Sequence, residues 1–212
     1  MARSLDAKCK QCRREGSKLF LKGEKCFTSK CSLVKRNYIP GVHGPKLGRG
    51  KRQTNYGVQL REKQKAKRTY RILESQFRKY FTRAINKAGD TGENMFVQLE
   101  IRFDNAVYRA GLAASRDKAR QLIGHGHFEI NGKKVTIPSY QIKLKDKITI
   151  REKSKAMEPF AILVETLKNQ QEIPEWLLVD PKELSAVVTG VPNLVKDKPG
   201  FDLTLITEYY SR

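Results

Sequence analysis

Four cysteines and a dense set of arginines and lysines are the residues whose types and spacing suggest chemistry. Cys9, Cys12, Cys26 and Cys31 follow the pattern C-x2-C-x13-C-x4-C, two short knuckles separated by a loop. Each close pair can grip one side of a tetrahedral ion, and the loop lets the pairs converge. Lys8, Lys10, Arg13, Arg14, Lys25 and Lys30 crowd the cluster, and nearby positive charge favours the ligating thiolate. Four thiolates around one Zn2+ leave no open position, so such an ion is structural. The segment is too short and polar to build its own core, which a metal staple would replace. The alternatives are four unligated cysteines or a disulfide pair. A redox CxxC is weaker still, because no βαβ pattern surrounds Cys9 and Cys12.

The second constellation is Ser115–Ile137, SRDKARQLIGHGHFEINGKKVTI. Ser115 can cap a short basic helix, and Asp117 suits its positive end. Ala119, Leu122 and Ile123 make one narrow apolar face, with Arg116 and Arg120 side by side along its edge. Gly124 and Gly126 stop the helix. Phe128-Glu129-Ile130 then alternates, and Asn131-Gly132 signals a tight hairpin. Lys133 and Lys134 come directly after the turn. Arginine on a helix and lysine on a hairpin suit a polyanion.

Composition agrees. Lys and Arg total 43 against 22 Asp and Glu, a formal net charge of +21 that points to a polyanionic partner. The excess is concentrated in the first 80 residues, whereas acids outnumber bases after Met157. That acidic tail suits a basic protein partner, or folding back on the basic half. No window of about 18 apolar residues suggests a transmembrane helix, and MARSLDAKCK lacks the apolar core of a signal peptide. The expectation is a cytoplasmic protein with no membrane and no small-molecule substrate.

Along the chain, 37–57 reads as a Gly- and Pro-rich arm carrying Lys46, Arg49, Lys51 and Arg52. It is no phosphate-binding P-loop, since Pro45 stands where glycine is needed and Arg52 where Ser or Thr is needed. From Val58 to about Ala88 the pattern is helical. Leu73, Phe77, Tyr80, Phe81, Ala84 and Ala88 form its apolar face, and Glu74 and Arg78 are spaced to pair. Thr91 can cap the next helical stretch, which is hinged near Asp104; Asp104-Asn105 reads as a cap or turn. Ile142, Leu144 and Ile148-Thr149-Ile150 predict short strands beside the hairpin. Phe160 to Leu167 fits helix or strand. Beyond it the chain reads as irregular, with Trp176 a core anchor and a short helix near Leu205–Tyr210.

These residues carry a resemblance. PGVHGPKLGRGKRQTNYGVQLREKQKAKRTYRILESQFRKYF (Pro40–Phe81) resembles the arm and first helices of the bacterial small-subunit ribosomal protein four family. LEIRFDNAVYRAGLAASRDKARQLIGHGHFEINGKKVTIPSY (Leu99–Tyr140) resembles its RNA-binding core, and the four-cysteine start its zinc-bearing form. The likeness weakens after about Lys155 and returns at Ile173-Pro174-Glu175-Trp176-Leu177.

The resemblance implies an α+β fold. A helical domain with an N-terminal zinc knuckle is joined to a second domain, in which helices pack on a small antiparallel β-sheet carrying the helix-turn-hairpin RNA-binding module. The expected organisation is a zinc knuckle over 1–36, the basic arm over 37–57, a helical domain over 58–98 completed by parts of 174–212, and the RNA-binding domain over 99–173. The implied function is structural, not enzymatic. The protein would bind 16S-type small-subunit rRNA directly at a helical junction, nucleate subunit assembly and contribute to decoding accuracy. Neighbouring small-subunit ribosomal proteins are expected partners, with messenger RNA a further one on the side where it enters the ribosome.

Lysine and arginine would displace condensed counterions and read backbone geometry, not base edges. Arg116, Lys118 and Arg120 would clamp phosphates from the helix, with Lys133 and Lys134 acting from the hairpin. Lys46, Arg49, Lys51 and Arg52 would track a second RNA segment, and the knuckle would present Lys10, Arg13 and Arg14. His125 and His127 either donate to phosphate or pack the turn. Two rivals carry the same features: an RNA-modifying enzyme that borrowed the module, and a DNA-binding zinc protein. The first needs a catalytic domain for which the chain has no room. The second needs a finger spacing or dimerisation heptad that is absent.

Overall fold

A computed structural model describes residues 6–42, 44, 54–157, 160, 163 and 173–212. Among these residues the chain forms two units, one of Phe96–Lys198 and one of the preceding chain together with Pro199–Arg212.

The discontinuous unit is helical. Helix α1 (Lys8–Glu15) ends on Gly16 at φ 66°, a left-handed stop that glycine adopts without a Cβ penalty. A 3-10 turn (Gly23–Cys26) and α2 (Ser32–Lys35) come next. Helix α3 (Asn55–Thr69) starts on Thr54, whose hydroxyl accepts from the Gly57 N–H, and α4 spans Glu74–Ile85. The continuous helix expected from Val58 is therefore broken at 70–73. Arg71 sits at φ 57°, and Leu73 is the extended residue preceding α4, not part of its helical face. Phe77, Tyr80, Phe81 and Ala84 line the buried side of α4, as their spacing predicts.

The last helix of the chain, α9 (Leu203–Tyr210), is capped by the Asp202 carboxylate and buries Leu203 and Ile206. It lies against α3: Gln59 donates to Glu208 at 2.7 Å, and Glu62 accepts from the Asp202 N–H at 2.9 Å. Tyr210 stacks on Phe81 at 4.6 Å and donates its hydroxyl to Glu74 at 2.6 Å. Glu74 does not use Arg78; it pairs with Lys63 at 2.9 Å and Lys67 at 3.0 Å.

Helix α5 (Thr91–Glu100) is capped by Asp90, whose carboxylate accepts the Glu93 N–H at 2.7 Å, so the expected Thr91 cap is displaced by one residue. The chain then bends at Ile101-Arg102 into α6 (Phe103–Arg109), and α7 spans Arg116–His125. Among the described residues there are five strands: β1 (Phe128–Ile130), β2 (Lys133–Lys134), β3 (Lys147–Ile150), β4 (Leu177–Asp180) and β5 (Ser185–Val188), with a short α8 (Glu152–Lys155) after β3. They form one antiparallel sheet in the order β2-β1-β3-β5-β4.

Register is set by alternation. Phe128 lies opposite Ile150, Ile130 opposite Ile148, and Ile148 opposite Ala186, so one sheet face is apolar. That face shares a core with Phe103, Ala106, Val107, Ala119, Leu122 and Ile123 from α6 and α7. Two expectations change here. Residues 177–188, read as irregular, supply β4 and β5. The second unit therefore runs to Lys198, past the expected limit at 173, and only Pro199–Arg212 of the tail completes the helical unit. Trp176 is buried in the sheet-bearing core. Most of Phe160–Leu167 lies outside the described residues.

Candidate nucleic-acid interface

The helix-turn-hairpin is built as its residues require. The Ser115 hydroxyl accepts the Lys118 N–H at 3.3 Å and starts α7. Gly126, at φ 78°, ends it; Gly124 stays inside the helix. A Cβ at Gly126 would collide with the side chain of Lys134, so the hairpin lysine lies across the end of α7. Asn131 at φ 50° and Gly132 at φ 75° make the tight turn, which needs positive φ at both central positions. Asn131 also fastens the hairpin to β3, donating to Asp146 at 2.8 Å and accepting the Lys147 N–H at 2.9 Å.

Lys118, His125, Lys133 and Lys134 are exposed on this frame. His127 is half-buried, with Nδ1 3.0 Å from the Ser154 hydroxyl and its ring against Phe160. Burial lowers its pKa, and the positive charges of His125, Arg151 and Lys118 lower it further. The two turn histidines thus separate: His127 packs the turn and His125 faces water. Arg151 joins the same edge, paired with Glu129 at 3.1 Å. Exposed basic side chains thus border this frame: Lys118 in the first turn of α7, His125 at its end, and Lys133 and Lys134 on the hairpin.

Arg116 and Arg120, read from the sequence as phosphate clamps on this helix, do not lie on that exposed border. They are 9% and 8% exposed and point into the protein. Arg120 pairs with Asp104 at 3.1 Å. Arg116 donates to Asn105 at 2.8 Å and lies over the Tyr108 ring at 4.5 Å. Asp104 also receives two bonds from Arg102, at 3.0 and 2.7 Å. Asn105 in turn donates to the Glu100 carboxylate at 3.0 Å, which pairs with Arg109. The turn expected at Asp104-Asn105 is therefore the centre of a buried polar network. Its signal in the sequence is the run Glu100-Ile101-Arg102-Phe103-Asp104, charges interleaved with core residues, since buried charge demands a partner.

In the helical unit, Lys10 and Arg14 are exposed, whereas Arg13 donates to the Tyr38 carbonyl at 3.0 Å and lies over its ring. Lys46, Arg49, Lys51 and Arg52 lie outside the described residues. Helix α1 is held on α3 by Glu15, which pairs with Arg61 and Arg68, and on the turn after α3 by Gln11, which accepts from Arg71 at 3.0 Å. Burial pushes the Glu15 carboxyl up despite these arginines.

Cys12, Cys26 and Cys31 are buried, Cys9 is half-buried, and all four are free thiols. Burial pushes the Cys12 thiol up; a backbone hydrogen bond at Leu19 opposes this, and the charges of Cys26, Cys9 and Cys31 add to it. Cys26 also accepts the Lys22 N–H at 3.4 Å. The sulfurs thus lie within electrostatic reach of Cys12. Among the described residues, however, no three Cys, His, Asp or Glu side chains are grouped as a metal site. No helix among those residues is long and apolar enough to cross a membrane.

Comparison with known sequences assigns both units. Residues 3–100 match the family model described as Ribosomal protein S4/S9 N-terminal domain, and residues 101–148, which contain the helix-turn-hairpin, match the S4 domain. The chain is 52% identical over 212 residues to small ribosomal subunit protein uS4A of Alkaliphilus metalliredigens (strain QYMF), covering 100% of both chains. It is 52% identical over 216 residues to uS4 of Clostridioides difficile (strain 630), and 50% identical over 214 residues to uS4 of Thermosipho melanesiensis, again covering 100% of each chain. With both family models in sequence order and full-length identity near one half, this chain belongs to the small ribosomal subunit protein uS4 family.

Proposed function

We propose that the protein is a structural, non-enzymatic constituent of the small ribosomal subunit that binds 16S-type rRNA directly at a helical junction, early in assembly. Full-length identity to proteins named small ribosomal subunit protein uS4 supports the subunit. The observation that carries the RNA reading is the cationic border of Lys118, His125, Lys133 and Lys134 on a frame fixed by a capped helix and an Asn-Gly turn. Cations at fixed spacing recognise a phosphate chain by its path. A-form RNA offers such a path while hiding its base edges in a deep groove.

Lys10 and Arg14, with the arm residues Lys46, Arg49, Lys51 and Arg52, would add counterion release along a second RNA segment. Contacts to neighbouring ribosomal proteins and to messenger RNA, and an influence on decoding accuracy, belong to the same reading. Chemical footprinting of small-subunit rRNA tests it. Protection confined to a multi-helix junction is expected, and diffuse protection would overturn direct junction recognition.

The same reading gives Cys9, Cys12, Cys26 and Cys31 one structural Zn2+. The donor chemistry fits: four cysteines in two knuckles, Cys12 within electrostatic reach of the other three, and a backbone N–H on Cys26. The ion would supply the positive charge that offsets repulsion among four thiolates and would staple a segment whose apolar cluster, among the described residues, is formed by Cys12, Leu19 and Leu21. Metal analysis of the purified chain should find one zinc, and chelation should expose four thiols and loosen α1. No zinc, with four freely reactive thiols, would sink the assignment.

A further inference from the structure

Arg116 and Arg120 stand one helical turn apart on α7, and both are fastened to consecutive residues of α6. Arg120 reaches Asp104 and Arg116 reaches Asn105. Neither receiving group is free to swing. Asp104 is gripped by Arg102 through both carboxylate oxygens, and Asn105 is held by the Glu100 backbone carbonyl at 2.9 Å and side chain at 3.0 Å. Ala119, Leu122 and Ile123 hold α7 on the core by non-directional apolar contact. Two directional anchors a turn apart fix its rotation and sliding. Lys118 lies midway between them, about 200° around the helix from Arg116, so whatever draws the arginines inward aims Lys118 outward.

We propose that Asp104 and Asn105 are positioning residues for RNA binding: through Arg120 and Arg116 they set the rotation and register of α7, and so where Lys118 meets the phosphate chain. This rests on the RNA-binding reading above and assigns a role to residues that touch no RNA themselves.

The test uses the full chain and small-subunit rRNA, with Kd measured across a salt series. In the unaltered protein, Lys118→Gln should lower the slope of log K against log salt by about one. Asp104→Asn should weaken binding about tenfold, the size of one lost charge-assisted contact. In the Asp104→Asn background, Lys118→Gln should then change neither affinity nor slope, while Lys133→Gln on the hairpin keeps its full effect. General loosening of the fold would leave the Lys118 effect intact in the folded fraction, so persistence of both lysine effects overturns the proposal. Unchanged or tighter binding by Asp104→Asn also overturns it, since releasing Arg120 would then have supplied a phosphate contact. Asn105→Ser, which loosens Arg116 but keeps the carboxylate, enters the same cycle if Asp104→Asn does not fold. Failure of the unaltered chain to bind the RNA would instead overturn the RNA reading itself.

Discussion

Glu74 in the helical unit and Asp104 in the sheet-bearing unit each gather two cations, but one stands at the surface and the other does not. The Glu74 side chain is 44% exposed and takes Lys63, Lys67 and the Tyr210 hydroxyl. Asp104 is 5% exposed in its side chain and takes Arg102 and Arg120. Water can reach the Glu74 carboxylate and Lys67, although Lys63 beside them is buried; at Asp104 it reaches neither the carboxylate nor Arg102 or Arg120. An exposed ion pair is worth little because solvent screens it, whereas breaking a buried one leaves a charge with no compensation. The choice of cation matches. Planar guanidinium groups meet a carboxylate in fixed geometry at the buried site, and flexible ammonium groups surround the exposed one. Each site joins chain segments, but only the buried one can hold a helix in register.

The largest expected effect probes that contrast directly. Asp104→Ala should destabilise the protein by about 3–5 kcal/mol in denaturant unfolding, because two arginines lose their carboxylate in a buried site. Glu74→Gln should cost no more than about 1 kcal/mol. Equal costs would erase the distinction between the two clusters.

Next comes Ile206→Ala in α9, a fully buried position, with an expected loss of about 2–4 kcal/mol. A loss below about 1 kcal/mol would mean that the terminal helix rests on the helical unit without completing it.

Acid probes the Glu74 cluster more gently. Burial raises the Glu74 carboxyl, but hydrogen bonds from Tyr210, Lys63 and Lys67 outweigh it and bring the pKa down to about 2. A depressed carboxylate contributes stability that is complete above its unfolded pKa of about 4.3 and is lost as pH falls toward its folded value. Discounted for exposure, that contribution is about 1 kcal/mol, and Glu74→Gln should remove this part of the pH dependence of unfolding. Identical acid profiles for the two proteins would refute it.

The smallest effect on stability is expected for Lys118→Gln, within about 0.5 kcal/mol, because the side chain is exposed. Its signature belongs in the salt dependence of RNA binding instead, and a large stability loss would move Lys118 from the interface to the frame.

Much of the frame is legible in the sequence because its causes are local. Ser115 caps the helix directly after it, Asn131-Gly132 can adopt the positive φ angles of a tight turn, and Gly126 can end a helix left-handed. The face of Phe77, Tyr80, Phe81 and Ala84 appears at helical spacing, and the terminal helix shows in its own periodicity. The cap before α5 falls one residue earlier than expected because Asp90 and Thr91 are both good caps, and only backbone geometry chooses between them. Strands β4 and β5 escape a sequence reading because Leu177-Leu178-Val179-Asp180 and Ser185-Ala186-Val187-Val188 lack the clean alternation of Ile148-Thr149-Ile150. What makes Ser185–Val188 a strand is pairing with β3, far away in sequence.

The candidate site divides along the same line. Sequence alone determined that a basic helix, a glycine turn and a basic hairpin stand together, since capping, turn chemistry and charge are properties of neighbouring residues. It also determined that four cysteines stand in two closely spaced pairs. Tertiary structure alone decided which cations face water. Arg116, Lys118 and Arg120 are chemically alike along the chain. The two arginines turn inward because Asp104 and Asn105, brought beside them by the α6–α7 packing, offer buried partners, and Lys118 is left facing out.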